Sequence, residues 1–523
     1  MLWAVAFVNR LTRKPQTLSG GPQRRWRFES VFLRKWRDSP WLYFALAGVL
    51  LLVAVLSQFE RVGGEVPKGR AEDLASLGDR EDLNVLFIVI DTLRADRLSA
   101  YGYQRQTTPN IDALAARGIR FENVEAQSSW TKASMASLWT GISPEQTGVS
   151  RFSHALPDEV SLPAEILQEN GFRTAGIWRN GWVANNFGFD RGFDLYYRPT
   201  PNRPTNGARS HSPSSHRLVG TDFDATQAGV EFLTGNRDQR FFLYLHYMDV
   251  HQYLYNEAAP EYGSSFSDIY DSALHWVDQN VGVLVDSLRA DGVLDKTVIV
   301  IASDHGEAFF EHGGEGHARN LYWEVQSVPL IVVPPFAIEG GVVVEEPVAN
   351  LDIWPTVLDL LGLPALSHAE GKSLLPLVLA AAGAGTKPTE LEGRTLFAQL
   401  DRHWGGRGDG LDEIISLRRE PYRFLYSTQE PEAVELFDHS ADPGEQENIG
   451  QNNPERVAEF SREVEEFLAR PKQGWEVPEV ELDEMMRAQL RALGYMRTPV
   501  EGNEAARKKA EAERAKSGGQ WQE

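Results

Sequence analysis

The sequence predicts an α/β protein in which helices sandwich a mostly parallel sheet, with a transmembrane helix before it and a small carboxyl-terminal α+β subdomain after it. Three observations carry that reading. Two continuous apolar runs rich in β-branched residues, NVLFIVID at 84–91 and TVIVIASD at 297–304, both stop on an acid. Strands buried on both faces look like this when they deliver a side chain to a sheet's carboxyl edge. Helical patterns alternate with such runs, and the long crossovers between them imply parallel pairing. Finally, WLYFALAGVLLLVAVLSQF at 41–59 is uncharged throughout. At about 1.5 Å per residue it crosses most of a hydrocarbon core of roughly 30 Å.

Taken in order, residues 1–40 hold nine Lys and Arg against Glu29 and Asp38, a net of +7. Because cationic flanks stay on the cytoplasmic side, the amino terminus is expected inside and the chain after Gln58 outside. SQFERVGG offers little of a small-residue cleavage motif, so the span reads as an uncleaved anchor of a single-pass membrane protein. Residues 60–82 form a polar connector, read as a stalk. The main domain, 83–365, adds candidate strands RTAGIW at 173–178 and FFLYLHYMD at 241–249. Its helical patterns are IDALAARG, LPAEILQENG and YDSALHWVDQNVGVLVDSLRADG, the last ended by Gly292. PTPNRPTNGARSHSPSSHRLVG at 199–220 has no hydrophobic period and is expected to be a long loop. A smaller unit at 366–470 carries candidate strands at 394–400 and 422–426 and a helix near 454–469. The tail, 471–523, is expected to be helical or disordered.

Composition excludes several classes. The formal net charge is −22, so −29 falls outside the first forty residues. An acidic body of that kind does not fit a nucleic-acid partner, because phosphate backbones select clustered cations. The chain has no cysteine, which removes disulfides, thiolate ligands and cysteine nucleophiles.

Ligands of open parallel sheets sit beyond the carboxyl ends of the strands. Asp91 and Asp304 end two of them and His305 follows, so this edge offers two hard oxygens and an imidazole to one divalent cation: Mg, Ca, Mn or Zn. In SSWTKASMASLWTG, residues 128–141, Thr131 stands where a loop turns into a helix, with free backbone N–H groups and the helix dipole beside its hydroxyl. The plain alternative is a helix N-cap. Next to a metal, the hydroxyl becomes a nucleophile toward a tetrahedral ester. Asp249 and His251 lie two apart at a strand end, and His312 and His317 begin and end HGGEGH. Asp271 and His275, four apart in a helical pattern, read as an ordinary surface pair.

Five blocks in order, IVIDTLRADRLSAYGY, SSWTKASMASLWTG, YMDVHQYLY, SDHGEAFFEHGGEGH and VELFDHSADPGEQENI, resemble the sulfatase family of the alkaline phosphatase superfamily over roughly 83–470. The resemblance implies a large α/β domain with a small carboxyl-terminal domain packed against it. It implies metal ligation by Asp91, Asp304 and His305, with Thr131 as nucleophile and fourth ligand, and substrate-oxygen contacts from His251 and His317. The chain also departs from the family. Its formylglycine block, C/S-x-P-x-R, is replaced by Thr131-Lys132-Ala133-Ser134-Met135, and Asp91 is followed by Thr92 where sulfatases present adjacent acids. A threonine cannot become the formylglycine aldehyde. One carboxylate with a Thr nucleophile is similar to lipoteichoic acid synthases and phosphoethanolamine transferases. Lys132 is expected either to supply the charge of the missing Arg or to face solvent.

The expected function is metal-dependent hydrolysis of sulfate or phosphate esters, phosphoester or phosphonate ester favoured, at the outer face of a membrane. The expected substrate is a sulfated or phosphorylated small molecule, glycan or lipid. The alternatives are a membrane-anchored phosphoethanolamine- or glycerophosphate-type transferase and an inactive glycan-binding domain.

Overall fold

A computed structural model of the chain describes residues 66–200, 220–404 and 411–481, and the backbone of 208–210. The span expected at 41–59 and most of the 199–220 loop lie outside the described residues. Among the described residues no helix is long and apolar enough to cross a membrane.

The large sheet has eight strands: β1 (Asn84–Ile90), β2 (Ile119–Glu125), β3 (Arg173–Trp178), β4 (Leu195–Tyr197), β5 (Phe241–Tyr247), β6 (Thr297–Ala302), β7 (Ser327–Val333) and β8 (Val342–Ala349). They lie in the order β8-β2-β7-β6-β1-β5-β3-β4. All neighbouring pairs are parallel except those of β7 with β2 and β6. The sheet is therefore mixed and mostly parallel.

The all-buried β1 explains the sandwich. Successive side chains on a strand point to opposite faces, so Val85, Phe87 and Val89 enter one core and Leu86, Ile88 and Ile90 the other. On the first face lie helices α2 (Thr131–Thr140) and α5 (Ile353–Leu360), which contribute Met135, Trp139, Trp354 and Val357. Trp139 and Trp354 stack at 5.3 Å, and the Phe87 ring meets both edge-on. Truncating such a buried aromatic costs about 3–5 kcal/mol. On the second face lie α1 (Pro109–Ala115), α3 (Asp222–Asn236) and α4 (Phe266–Ala290).

The second sheet is an antiparallel meander of β9 (Leu396–Asp401), β10 (Glu413–Arg419), β11 (Tyr422–Ser427) and β12 (Glu435–Asp438). Helix α6 (Pro454–Leu468) lays Phe460, Val464 and Phe467 on Ile415, Leu417, Phe424 and Leu436. The fully buried Arg423 of β11 ion-pairs with Glu125 at the end of β2 and with Glu445, joining this sheet to the large one.

Two expectations change. The expected stalk is not free from residue 66 onward: Lys68–Gly69 pairs with Ala337–Ile338, and the 3₁₀ helix at Ala71–Asp79 buries Ala71, Leu74 and Leu77 in the first core. The start of the expected helical or disordered tail is extended. There Ala155 N–H donates to the Pro478 carbonyl and Val480 N–H to that of Ser153. Pro471, Gly474 and Pro478 oppose a helix in this stretch.

Candidate active site

Strand register brings the acids together. β1 and β6 pair from Asn84↔Thr297 to Val89↔Ala302; continuing that register past the last pair sets Asp91 level with Asp304. On the other side of β1, Val89 pairs with His246 of β5, which pairs in turn with Trp178 of β3. His246, Asp91, Asp304 and Asn180, two residues beyond β3, therefore crowd one stretch of the sheet's carboxyl edge. Helix α2 packs on the same face and starts there, with Trp130 as its N-cap and Thr131 as its first residue.

Each acid has one oxygen tied down and one open. Asp91 Oδ2 accepts from Asn180 Nδ2 at 2.6 Å and from His246 Nε2 at 3.0 Å. Tyr244 OH, 2.7 Å from His246 Nδ1, fixes that ring with its Nε2 proton toward the acid. Asp304 Oδ1 accepts from the backbone N–H of His305 at 3.0 Å and of Thr92 at 3.3 Å. Thr92 reaches it only by adopting a left-handed φ of 63°, strained for a β-branched residue. The other oxygens, Asp91 Oδ1 and Asp304 Oδ2, are buried and meet no hydrogen-bond partner among the described residues. Such orphaned acceptors are costly unless something satisfies them.

His305 completes the set. Its Nδ1 donates to the Gly306 carbonyl at 3.0 Å, which leaves Nε2, 3.3 Å from Asp304 Oδ2 and 3.1 Å from Thr131 Oγ1, as the nitrogen that would exchange a proton for a cation. Metal-ligating histidines are held in their tautomer in this way. Ligand atoms of Asp91, Asp304 and His305 all lie within 4.8 Å of one another and all three residues are buried. Two open carboxylate oxygens and an inward imidazole nitrogen fit a divalent cation, with the Thr131 hydroxyl at its edge. Thr131 Oγ1 also lies 3.4 Å from Asn180 Nδ2, so its hydroxyl serves the site rather than the helix cap.

Around this floor stand His251 and His317, with ring centres 4.9 Å apart; His317 is 4.4 Å from His305. His317 Nδ1 lies 3.2 Å from the buried Glu307 carboxylate. Burial pushes His251 down to about 4 and His317 well below the ordinary histidine range, and lifts Glu307 to about 7. Burial and the neighbouring Asp91 charge lift Asp304 to about 6. Burial also opposes the Asp91 charge, but His251, His246 and His305 outweigh it and hold that acid well below the carboxylate range.

A model of the sulfatase family matches residues 83–363, and one of the carboxyl-terminal region of N-sulphoglucosamine sulphohydrolase matches 311–473. The chain belongs to the sulfatase family. As a sulfatase-family protein it is a hydrolase acting on ester bonds. It is 22% identical to arylsulfatase K of Xenopus laevis over 70% of this chain and 78% of that one. It is likewise 22% identical to an N-acetylglucosamine-6-O-sulfatase of Bacteroides thetaiotaomicron, over 70% and 82%. Among solved structures, the phosphonate monoester hydrolase of Agrobacterium radiobacter shares the fold with a TM-score of 0.58 at 18% identity, covering 74% of this chain and 95% of that one.

Of the residues singled out in the sequence, the fold brings together Asp91, Thr131, His251, Asp304, His305 and His317. Lys132 is a correction. It neither lines the reaction centre nor faces solvent, because neighbouring helical residues do not share a face. Its ammonium donates to the Phe152 and His154 carbonyls at 2.6 and 2.9 Å and sits 3.3 Å from the Phe187 ring centre, where burial pushes its pKa well down. Asp249 is taken up by Arg179, Trp276 Nε1 and the Asp222 N–H. Asp271 is held by Tyr103 and Arg105, and His312 lies between Glu324 and Glu445. Sequence reasoning missed Asn180, His246 and Glu307. The signal for His246 was a polar residue inside the otherwise apolar FFLYLHY run; Asn180, just past a strand end, gave a weaker one.

Proposed function

We propose that the chain is a single-metal hydrolase of phosphate or sulfate esters in which Thr131 is the nucleophile, with phosphoesters and phosphonate esters preferred. The observation that carries the reading is the Thr131 hydroxyl 3.1 Å from His305 Nε2, beside two buried carboxylate oxygens that lack partners. A divalent cation held by Asp91, Asp304 and His305 would lower the hydroxyl's pKa and offset charge on the reacting ester.

The chain's own groups account for the rest. Asn180 orients both Asp91 and the Thr131 oxygen. The first-turn amides of α2, which have no acceptor within the helix, face equatorial oxygens of a tetrahedral anion. Thr131 Oγ gives its proton to the neutral ring of His251 or His317 and forms a bond to phosphorus or sulfur as the ester oxygen departs, and that oxygen takes the same proton back from the histidine. Water then releases the Thr131 ester. Because threonine cannot supply a formylglycine hydrate, phosphorus esters suit the site better than sulfate esters. The relative whose name specifies N-acetylglucosamine-6-O-sulfate chemistry makes a glycan ester a reasonable substrate class.

A second reading, transfer to an acceptor hydroxyl in place of water, draws on the single strand-end carboxylate with a Thr nucleophile, a pairing that resembles lipoteichoic acid synthases and phosphoethanolamine transferases. The uncharged run at 41–59 behind a segment of net +7 supports an extracytoplasmic catalytic domain, checked by protease accessibility in sealed vesicles.

The deciding assay incubates the protein with Mn, Mg, Ca or Zn and p-nitrophenyl phosphate, a bis-phosphodiester, a phosphonate ester or a sulfate, beside Thr131→Ala. Metal-dependent turnover lost in the mutant supports the reading, and the preferred ester names the class. Turnover retained by Thr131→Ala would overturn it, and turnover only with a lipid donor would favour transfer.

A further inference from the structure

The FDHSADPGEQENI block has no part in the reaction as derived, yet the fold sets it against the loop that bears His317. That loop runs from Glu311 to Trp323. Both of its ends meet one residue, Glu445, which is 2% exposed and holds a left-handed φ of 55°. At one end, His312 Nε2 lies 3.0 Å from the Glu445 backbone carbonyl; at the other, Trp323 N–H donates to Glu445 Oε2 at 2.8 Å. The middle of the loop is tied to the nucleophile segment, where Ala318 N–H donates to the Ser129 carbonyl and Ser129 Oγ to that of Asn320.

The His312 contacts define its charge. Nδ1 lies 2.8 Å from Glu324 Oε1, an acceptor, and Nε2 faces the Glu445 carbonyl, also an acceptor. A neutral imidazole carries one N–H and can serve only one of them, whereas an imidazolium serves both. The neutral form also has a partner at hand, because Gln446 Nε2 stands 3.2 Å from His312 Nε2 and can donate to its lone pair. The ring stacks on Tyr322 at 3.7 Å, with planes 6° apart, so it can change partner without leaving its seat.

We infer that His312 is a protonation-dependent positioning residue: as an imidazolium it bolts the His317 loop to the Glu445 turn, and on losing its proton it exchanges the Glu445 carbonyl for the Gln446 amide and loosens that loop. The charged groups around it favour the cation. Glu324 touches it directly. The Glu445 carboxylate is taken up by Arg423, Glu311 by Arg94, and Glu435 accepts from Tyr322 OH. Arg418 and His439 lie against Trp323 at the far end of the loop. Burial opposes the charge, but the Glu445 carbonyl and Glu324 outweigh it and raise His312 above the ordinary histidine range. The bolt is therefore closed below that range and opens as pH rises through the raised value. Its catalytic consequence rests on the proposed role of His317, whereas the latch itself does not.

The test is hydrogen exchange of the segment 311–323 in the full chain from about pH 6 to about pH 9, corrected for the chemical rate and compared with an α4 segment. Wild-type protection should fall roughly tenfold across a single titration, the scale of one lost charge-assisted bond. His312→Gln should flatten the curve, and Gln446→Ala, which removes the neutral-state partner, should move its midpoint upward. A flat wild-type curve, or an unmoved midpoint in Gln446→Ala, overturns the latch. Where turnover is measurable, kcat on esters with poor leaving groups should fall along the same curve while KM holds. A titrating loop in a protein that hydrolyses none of the esters supports the latch and counts against the proposed reaction alone.

Discussion

Two pairs of aspartates stand at the same carboxyl edge, and they are built to opposite ends. Asp222 and Asp249 enclose the Arg179 guanidinium, and Arg179 also donates to the Gly220 carbonyl. The backbone N–H groups of Met248, Asp249 and Asp222, with Trp276 Nε1, occupy most of the remaining acceptor positions. Asp91 and Asp304 have no guanidinium, and each keeps a buried oxygen without a partner among the described residues. Buried charges are tolerated when paired or when they coordinate a metal. The first pair is thus a brace between β3, β5 and α3, and the second a candidate cation seat; what separates them is lone-pair satisfaction, not residue type.

The largest effect that would sharpen this contrast is catalytic. Thr131→Ala should lower kcat by about 10³ or more with folding intact, while Thr131→Ser keeps part of the activity, as expected when a nucleophilic oxygen is removed or merely repositioned. Next, Arg179→Met should destabilise the protein by about 3–5 kcal/mol in denaturant unfolding, because it strands two buried carboxylates. Asp304→Asn in metal-free protein should cost little or even stabilise, since it relieves like-charge repulsion; equal losses in the two variants would erase the distinction.

Thermal unfolding with added cation gives a smaller signal. At a hundredfold excess over Kd, binding stabilises by about 2.7 kcal/mol, and Asp304→Asn should abolish the gain while Asp249→Asn keeps it. The smallest effect is a pH slope. Burial and the like charge of Asp222 lift Asp249 to about 7. A raised acid contributes stability that is present below its unfolded value and lost as pH rises through the folded one. Metal-free wild type should therefore lose Tm as pH rises through that value, and Asp249→Asn should remove its own share of the slope, about 2 °C, leaving the shares of Asp304 and Glu307.

The comparison also shows where the sequence could be read. NVLFIVID and TVIVIASD were legible as strands that end on acids because an unbroken β-branched run has few other uses, and β1 and β6 lie there. Asp249 ends a similar run, so sequence alone could not tell it from Asp91. Arg179 decides between them, and it lies seventy residues away in the chain. Lys132 was misread for a related reason: its surroundings, the Phe152 and His154 carbonyls and the Phe187 ring, come from loops whose approach no local pattern encodes. Strands β10 and β12 went unseen because a short meander against one helix needs only a brief apolar alternation.

By itself the sequence determined the mostly parallel α/β plan, the two acids at strand ends, the helix that starts at Thr131 and the absence of any thiol chemistry. All of these are local, since burial period, strand-terminal residue and helix start are properties of neighbouring positions. Tertiary structure decided which carboxylate oxygens stay open, that Asn180 and His246 aim Asp91, that Glu307 accompanies His317, and that the Glu445 turn holds the His317 loop. Those outcomes depend on strand register and on contacts between distant segments, where a hydrogen bond given or withheld sets the difference between a brace and a reactive site.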